Sequence, residues 1–262
     1  MSLFSGTADY YRTYRPGLPP ELADLLDSAA PQRVPRRLLD VGTGTGLVIQ
    51  ALLGRFDDVV ANDSDPQMLA TAEAALRPLL PVGTSLSLAE TEAERFEPPA
   101  GWQADLVTIC RAFHWLDQEL VLRRLDDQVS ADGVVAIFGD NSFWAAGSDW
   151  KAAVRAVVQE FLGEERRAGT GTFKHHDRPY SEILHESAFS VVEEARVPVT
   201  RYWSRDSILG YLYSTSFAAP QLFGDRLPEF ESAITGALGG FSTDDTFVEE
   251  NEFVVRLGRR PR

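Results

Sequence analysis

Cysteine is nearly absent from this chain, with Cys110 alone among 262 residues. A single thiol cannot close an internal disulfide, which excludes a disulfide-stapled scaffold and points to a reducing, cytoplasmic setting. Long apolar runs are missing too. The best are short segments such as Gly133 to Gly139, far below the roughly 18 residues that span a bilayer, so no membrane partner is expected. The N-terminus shows no basic patch followed by an apolar core, so no export signal is read there. Histidine is scarce, at four residues. Its one adjacent pair, His175 and His176 beside Asp177, lies in a polar stretch where solvation is the ordinary fate, and no metal site is expected. Positive charge is the last deficit. Lys and Arg number 25 against 39 Asp and Glu, a net charge of −14, which repels phosphate backbones and anionic lipid. Nucleic acid is not an expected partner. The C-terminal cluster Arg256, Arg259, Arg260 and Arg262 reads as a frayed, solvated tail.

What the chain does have is an ordinary core composition, 44% hydrophobic and 24% charged, enough for one large α/β domain or a domain with an added cap. From residue 36 short β-branched runs alternate with helical patterns. Strands are expected at Arg37 to Val41, Val59 to Asn62, Ser85 to Ala89, Asp105 to Cys110 and Gly133 to Phe138. The intervening helices fall at Gly46 to Arg55, Pro66 to Leu76 and Asp117 to Val129. Such alternation predicts βα units and a parallel sheet. Ahead of them stand an aromatic arm, Tyr10 to Pro20, and a helix from Glu21 to Ala29. Beyond them the pattern predicts helices at Asp149 to Leu162 and Ser181 to Ala188, and a strand from Phe189 to Trp203 interrupted by Pro198. Helical pattern returns over 205–239, and a last strand falls near Phe247 to Leu257. The division expected is an arm and helix over 1–35, a cofactor-binding α/β core over 36–140, and the rest of the core over 141–262 with a helical cap near 205–240.

The most informative segment runs from Leu38 to Gly46, where an apolar strand enters Asp40-Val41-Gly42-Thr43-Gly44-Thr45-Gly46. Glycines are required where backbone turns tightly and approaches a ligand without a Cβ in the way. A nucleotide-like ligand is implied, yet Leu47 stands where the dinucleotide fingerprint places its third glycine. The Gly-Lys-Ser/Thr ending of a phosphate loop is also absent, so NAD and ATP lose ground. The next strand ends in Asp63, whose carboxylate can accept two hydrogen bonds from a ribose diol. The alternative is an N-cap for the helix near Pro66, a task open also to Ser64 or Asp65.

Together Asp40 to Gly46, Asp63 and Glu92-Ala93-Glu94 resemble the class I S-adenosylmethionine-dependent methyltransferases. The closest likeness is to the small-molecule branch that includes trans-aconitate methyltransferases. The arm Ala8 to Pro16 is similar to that branch's Y-x-x-Y-R-P segment, and Phe113-His114-Trp115-Leu116-Asp117 to its F-H-W-F-D segment. The resemblance implies a doubly wound, seven-stranded, mostly parallel sheet with S-adenosylmethionine as cofactor. It places Gly42, Thr43, Gly44 and Gly46 around the methionine part, with Asp40 orienting the loop or meeting the ammonium through water. Asp63 with Ser64 falls at the ribose, Met68 on the adenine, and Glu92 and Ala93 at the adenine edge. Arg111 falls beside the sulfonium and Tyr14 or Arg15 at the cofactor carboxylate, with packing as the other role open to Arg15.

His114 follows the fourth strand, at the end where open α/β sheets bind ligands, and its side chain suits proton transfer near neutral pH. It is read either as the general base or as a hydrogen bond that fixes the loop. Tyr11, Trp115, Trp144 and Trp203, with His114, are candidates to line an apolar substrate pocket. The expected activity is methyl transfer to a small molecule, with a homodimer as a compatible assembly. The rivals are a protein or RNA methyltransferase and a cofactor-binding protein that transfers nothing.

Overall fold

A computed structural model of the chain describes residues 6–143, 147–164, 167–168, 171–172 and 178–261. Its elements begin with helices α1 (Ala8–Tyr14) and α2 (Pro20–Ala29), then β1 (Arg37–Val41), α3 (Leu47–Ala51), β2 (Asp58–Asp63), α4 (Pro66–Leu76), β3 (Ser85–Glu90) and β4 (Ala104–Cys110). After a 3-10 turn at Phe113–Trp115 come α5 (Gln118–Gln128), β5 (Val129–Asp140), α6 (Asp149–Leu162) and the two-residue strands β6 (Arg167–Ala168) and β7 (Gly171–Thr172). The series ends with α7 (Tyr180–His185), β8 (Val191–Trp203), α8 (Arg205–Tyr213), α9 (Leu227–Leu238) and β9 (Phe247–Arg259).

Seven strands form one sheet in the order β3-β2-β1-β4-β5-β9-β8. The first five run parallel, and β9 lies antiparallel on β5 with Val135 opposite Gly258 and Asp140 opposite Phe253. Central strands buried on both faces are mostly apolar, and in β4 Ala104 to Ile109 are all buried, its two polar side chains Asp105 and Thr108 being hydrogen-bonded to β1. Alternation along the strands sends Leu39, Val41, Val107, Ile109, Val135 and Ile137 into one core with Val121, Leu122 and Leu125 of α5 and Ile183 and Leu184 of α7. Leu38, Leu106 and Val134 point the other way by the same period of two and are fully buried as well.

The chain divides into two compact units. One holds residues 17–140, 176–197 and 253–262, and with them β1 to β5 and the glycine-rich turn. The other holds residues 1–16, 141–175 and 198–252, with α1, α6, α8 and α9. Its own core gathers Trp150, Val154 and Val158 of α6, Ile208, Tyr211 and Leu212 of α8, and Phe230, Ile234 and Leu238 of α9. Within it the arm is helical: Tyr14 of α1 lies so close to Gly210 of α8 that a Cβ there would fall 2.3 Å from the ring, and Tyr10 meets Tyr213 edge to face at 5.3 Å.

Several local expectations are corrected. The strand through Pro198 is continuous, because β8 is the sheet's edge and a missing N–H costs nothing on an unpaired side. The helix after the glycines is five residues long, closing at Leu52 ahead of Gly54 with φ 77°. Of the C-terminal arginines, the three described are not a frayed tail: Arg256 and Arg259 lie in β9, Arg256 pairs with Glu194 at 3.2 Å, and Arg260 pairs with Asp126 at 2.8 Å; Arg262 lies outside the described residues.

Candidate functional site

Strand order reverses between β1 and β4, and a crevice outside the carboxyl ends of the strands forms at such a point. Gly42 leaves β1 there with φ 67°, and Gly44 and Gly46 follow at 55° and 79°, a backbone that side-chain-bearing residues adopt only under strain. A Cβ on Gly42 would sit 2.8 Å from the Cβ of Ala112, two residues beyond β4, so the turns after β1 and β4 close on each other at this glycine. A Cβ on Gly46 would meet Leu76 of α4 at 2.6 Å. The turn is also tied to β2. Thr43 donates its N–H to the carbonyl of Asn62 at 3.0 Å, and Gly46 donates to Thr43 O at 3.0 Å.

Asp63, closing β2, is held from both sides. Oδ2 accepts the N–H of Gly44 at 2.8 Å and Oδ1 accepts that of Asp65 at 2.9 Å. Each oxygen keeps a second lone pair. Burial raises its pKa, opposed by these backbone donors. The helix cap is Asp65, whose Oδ1 accepts the N–H groups of Gln67 at 2.9 Å and Met68 at 3.4 Å, so Asp63 is spared that duty. Ser64 between them is exposed, and Met68 is buried in the first turn of α4.

Asp40 lies inside β1, fully enclosed. Thr108 of β4 donates its hydroxyl to Oδ1 at 2.7 Å, while Oδ2 makes no hydrogen bond. Burial pushes its pKa up to about 6, against the pull of the nearby Thr43 hydroxyl and of the bonded Thr108 hydroxyl. The segment after β3 is tied to β2 as well: Thr91 donates its N–H to Asp63 O at 3.0 Å, and Asn62 Nδ2 donates to Thr91 O at 3.1 Å. That bond leaves Asn62 Oδ1 buried without a partner. Glu92 is exposed and pairs with Arg95 at 3.3 Å, Ala93 is half-buried, and Glu94 accepts the N–H of Asp117 at 2.7 Å.

After β4, Arg111 takes φ 54° and pairs through Nε with Asp140 Oδ1 at 2.5 Å. His114 and Trp115 follow in the 3-10 turn, both half-buried, their rings 4.6 Å apart. One unit therefore brings together Asp40, Gly42 to Gly46, Asp63, Ser64, Met68, Glu92, Ala93, Arg111, His114 and Trp115.

Tyr11, Tyr14, Arg15 and Trp203 belong to the other unit. Arg15 donates Nε to Ser214 Oγ at 2.8 Å and Nη1 to the Tyr211 hydroxyl at 3.1 Å, and its guanidinium stands over the rings of Tyr11 and Tyr211. Tyr14 bonds Asp206 at 3.3 Å. Trp203 is a core side chain whose indole N–H is satisfied by Glu249 at 2.8 Å. Trp144 and the His175-His176-Asp177 group lie outside the described residues. Sequence reasoning missed Asn62, Thr108 and Asp140. A polar residue one place before the acid ending β2 was the available signal for the first; nothing marked the other two.

Residues 39–135, which hold this whole arrangement except Asp140, match the family model described as a methyltransferase domain. The chain is 28% identical over 218 residues to an uncharacterized methyltransferase of Mycobacterium bovis, covering 83% of this chain and 78% of that one, with the same figures for a Mycobacterium tuberculosis relative. Among solved structures, a protein of Anaeromyxobacter dehalogenans described as a type II methyltransferase superposes with a TM-score of 0.60 at 21% identity, over 95% of this chain and 98% of its own. The YcgJ protein of Bacillus subtilis gives 0.57 at 13% identity, over 92% and 99%. These structural likenesses concern the fold. The residues fit in kind the S-adenosylmethionine that the resemblance implies: a cradle that a Cβ at Gly42 would fill, and acceptor oxygens on Asp40, Asn62 and Asp63 for a ligand rich in N–H and O–H donors.

Proposed function

We propose that this protein transfers a methyl group to a small organic acceptor, in a reducing cytoplasmic setting. The observation that carries the reading is Asp63, a carboxylate aimed by the glycine turn and released from capping by Asp65. When bound, the cofactor supplies an activated methyl on a sulfonium, so the protein's task is to bind, orient and keep water away. Gly42 to Gly46 offer bare backbone to its methionine part, Asp63 accepts from the ribose hydroxyls, Met68 packs on the adenine, and Ala93 with Glu92 meets its edge. Asp40 answers positive charge, its unpartnered Oδ2 being the free acceptor. His114, at the carboxyl end of β4, takes the acceptor's proton, with Trp115 as an apolar wall. Arg15 and Tyr14, already bonded to Ser214, Tyr211 and Asp206, hold α1 on α8 instead of joining the reaction.

A small acceptor is favoured over RNA by the net charge of −14. Incubation with methyl-labelled cofactor and a fractionated metabolite pool tests this: label in a low-mass product supports it, and label only in protein or RNA refutes it. Light scattering in the same buffer tests for a homodimer.

A further inference from the structure

We propose that Asp140 is a positioning residue: through its ion pair with Arg111 it holds the turn after β4, and with that turn Ala112 beneath the glycine loop and the His114–Trp115 pair. The inference rests on the reading of this crevice as the cofactor site.

Arg111 and Asp245 are the only non-glycine residues with positive φ among those described, and Arg111 is the one at the sheet's ligand-binding edge. A side-chain-bearing residue keeps that conformation only where its surroundings over-determine it, and such residues gather at functional sites. Here the surroundings are explicit. The Arg111 N–H donates to Phe138 O at 3.0 Å, so the backbone is still held by β5 as it leaves the sheet. The side chain turns back to Asp140, the last residue of β5, with Nε 2.5 Å from Oδ1. Both side chains are about one-tenth exposed, at 12% and 9%, and the guanidinium stands 5.3 Å from the Phe253 ring of β9.

The consequence falls on the next residue. Ala112 is the one whose Cβ blocks any side chain at Gly42, so the twist at Arg111 sets how closely the two turns approach. Phe113, buried at 1%, pins the middle of the turn with Gln118, which donates Nε2 to its carbonyl at 3.1 Å. His114 and Trp115 thus follow directly on two anchors, Arg111–Asp140 and Phe113–Gln118. The first is ionic although it lies at the protein's strand ends, where apolar packing would serve stability as well. Its geometry is therefore assigned to the site.

The test is calorimetric titration of the full chain with S-adenosylhomocysteine, alongside melting temperatures. Asp140→Asn keeps the shape and removes the charge. It should weaken binding about tenfold or more while melting within about 2 degrees of the parent. Asp140→Glu, still able to reach Arg111, should restore affinity to within about threefold. Arg111→Gly, which accepts the positive φ but lacks the pair, should bind as weakly as Asp140→Asn. Unchanged affinity in Asp140→Asn, with Asp63→Ala defective in parallel, overturns the proposal and leaves the cofactor reading standing. A parent that does not bind overturns that reading itself. A fall in melting temperature and affinity together without rescue by Glu makes the pair merely structural, which also overturns it. Should Asp140→Asn not fold, Arg111→Gln, which removes the charge from the other partner, supplies the same comparison.

Discussion

The carboxylate Oδ2 of Asp63 accepts the backbone N–H of Gly44 at 2.8 Å, which makes the acid closing β2 and the turn leaving β1 a single hydrogen-bonded device. The glycine turn aims the acid, and the acid fixes the turn. Disturbance of either should therefore appear in both, and the same economy recurs at Asp40, where one buried carboxyl serves the strand and the crevice.

Asp40 has a folded-state pKa of about 6 against an ordinary value of 3.8. Because the raised pKa favours the protonated form, the folded state binds more protons than the unfolded chain in that window. Stability is then greatest below pH 4 on this group's account and declines as pH rises through 6. The full effect is about 3 kcal/mol. Asp40→Asn is expected to raise the melting temperature at pH 8 and to leave it nearly unchanged at pH 4, provided the rest of the fold persists there. The comparison of two pH values in differential scanning calorimetry checks it.

Gly210 admits the Tyr14 ring at a distance no Cβ tolerates. Gly210→Ala should cost about 1 to 3 kcal/mol by overpacking and loosen α1, exposing Arg12 to trypsin. Adding Tyr14→Ala to it should cost less than the sum of the two single changes, since the clash is then gone. A strictly additive cycle argues against the contact.

Glu249 is the hub of a buried polar group in the unit that holds α6, α8 and α9. It pairs with Lys151, accepts from Trp203 Nε1 at 2.8 Å and Asn251 Nδ2 at 2.9 Å, and lies 3.6 Å from Arg201. Removing it strands several donors, and removing Lys151 strands a carboxylate that retains three partners. Glu249→Leu should therefore lie at the upper end of the about 3 to 5 kcal/mol expected for breaking a buried pair, and Lys151→Met below it. Urea denaturation gives the ranking.

Much of this was legible in the sequence where one periodicity dominates. Strand β1 and helices α4 and α6 fall within the expected limits because the apolar run of β1 ends at Gly42, α4 starts at Pro66 and α6 stops at Gly163. Tertiary partners hid the rest. Helix α1 is seven residues of mostly polar and aromatic type whose helicity depends on packing against α8, and Pro198 reads as an interruption until β8 is known to be an edge. Likewise Trp203 has the composition of a pocket wall, and only Glu249, 46 residues on, shows it to be a core side chain. At the site, Asp40, Gly42 to Gly46 and Asp63 were readable from local spacing, while Asp140 takes its meaning from Arg111, 29 positions earlier.

His114 stands in the 3-10 turn Phe113–Trp115, just past the anchors at Arg111 and Phe113. His114→Ala should leave affinity for S-adenosylhomocysteine close to that of the parent and lower single-turnover methyl transfer by about a hundredfold or more. A normal single-turnover rate removes it as the base. Joint loss of affinity and stability makes it a loop-fixing residue instead.

The central claim is that Asp63 and the glycine turn hold S-adenosylmethionine, and titration calorimetry of the parent and Asp63→Ala with S-adenosylhomocysteine and with NAD tests it most directly. The account predicts one site per chain for S-adenosylhomocysteine, no comparable NAD binding, and a loss of about 1.5 to 3 kcal/mol in a folded Asp63→Ala protein, the worth of hydrogen bonds to a charged group. Tighter binding of NAD, or unchanged affinity in that variant, would contradict it.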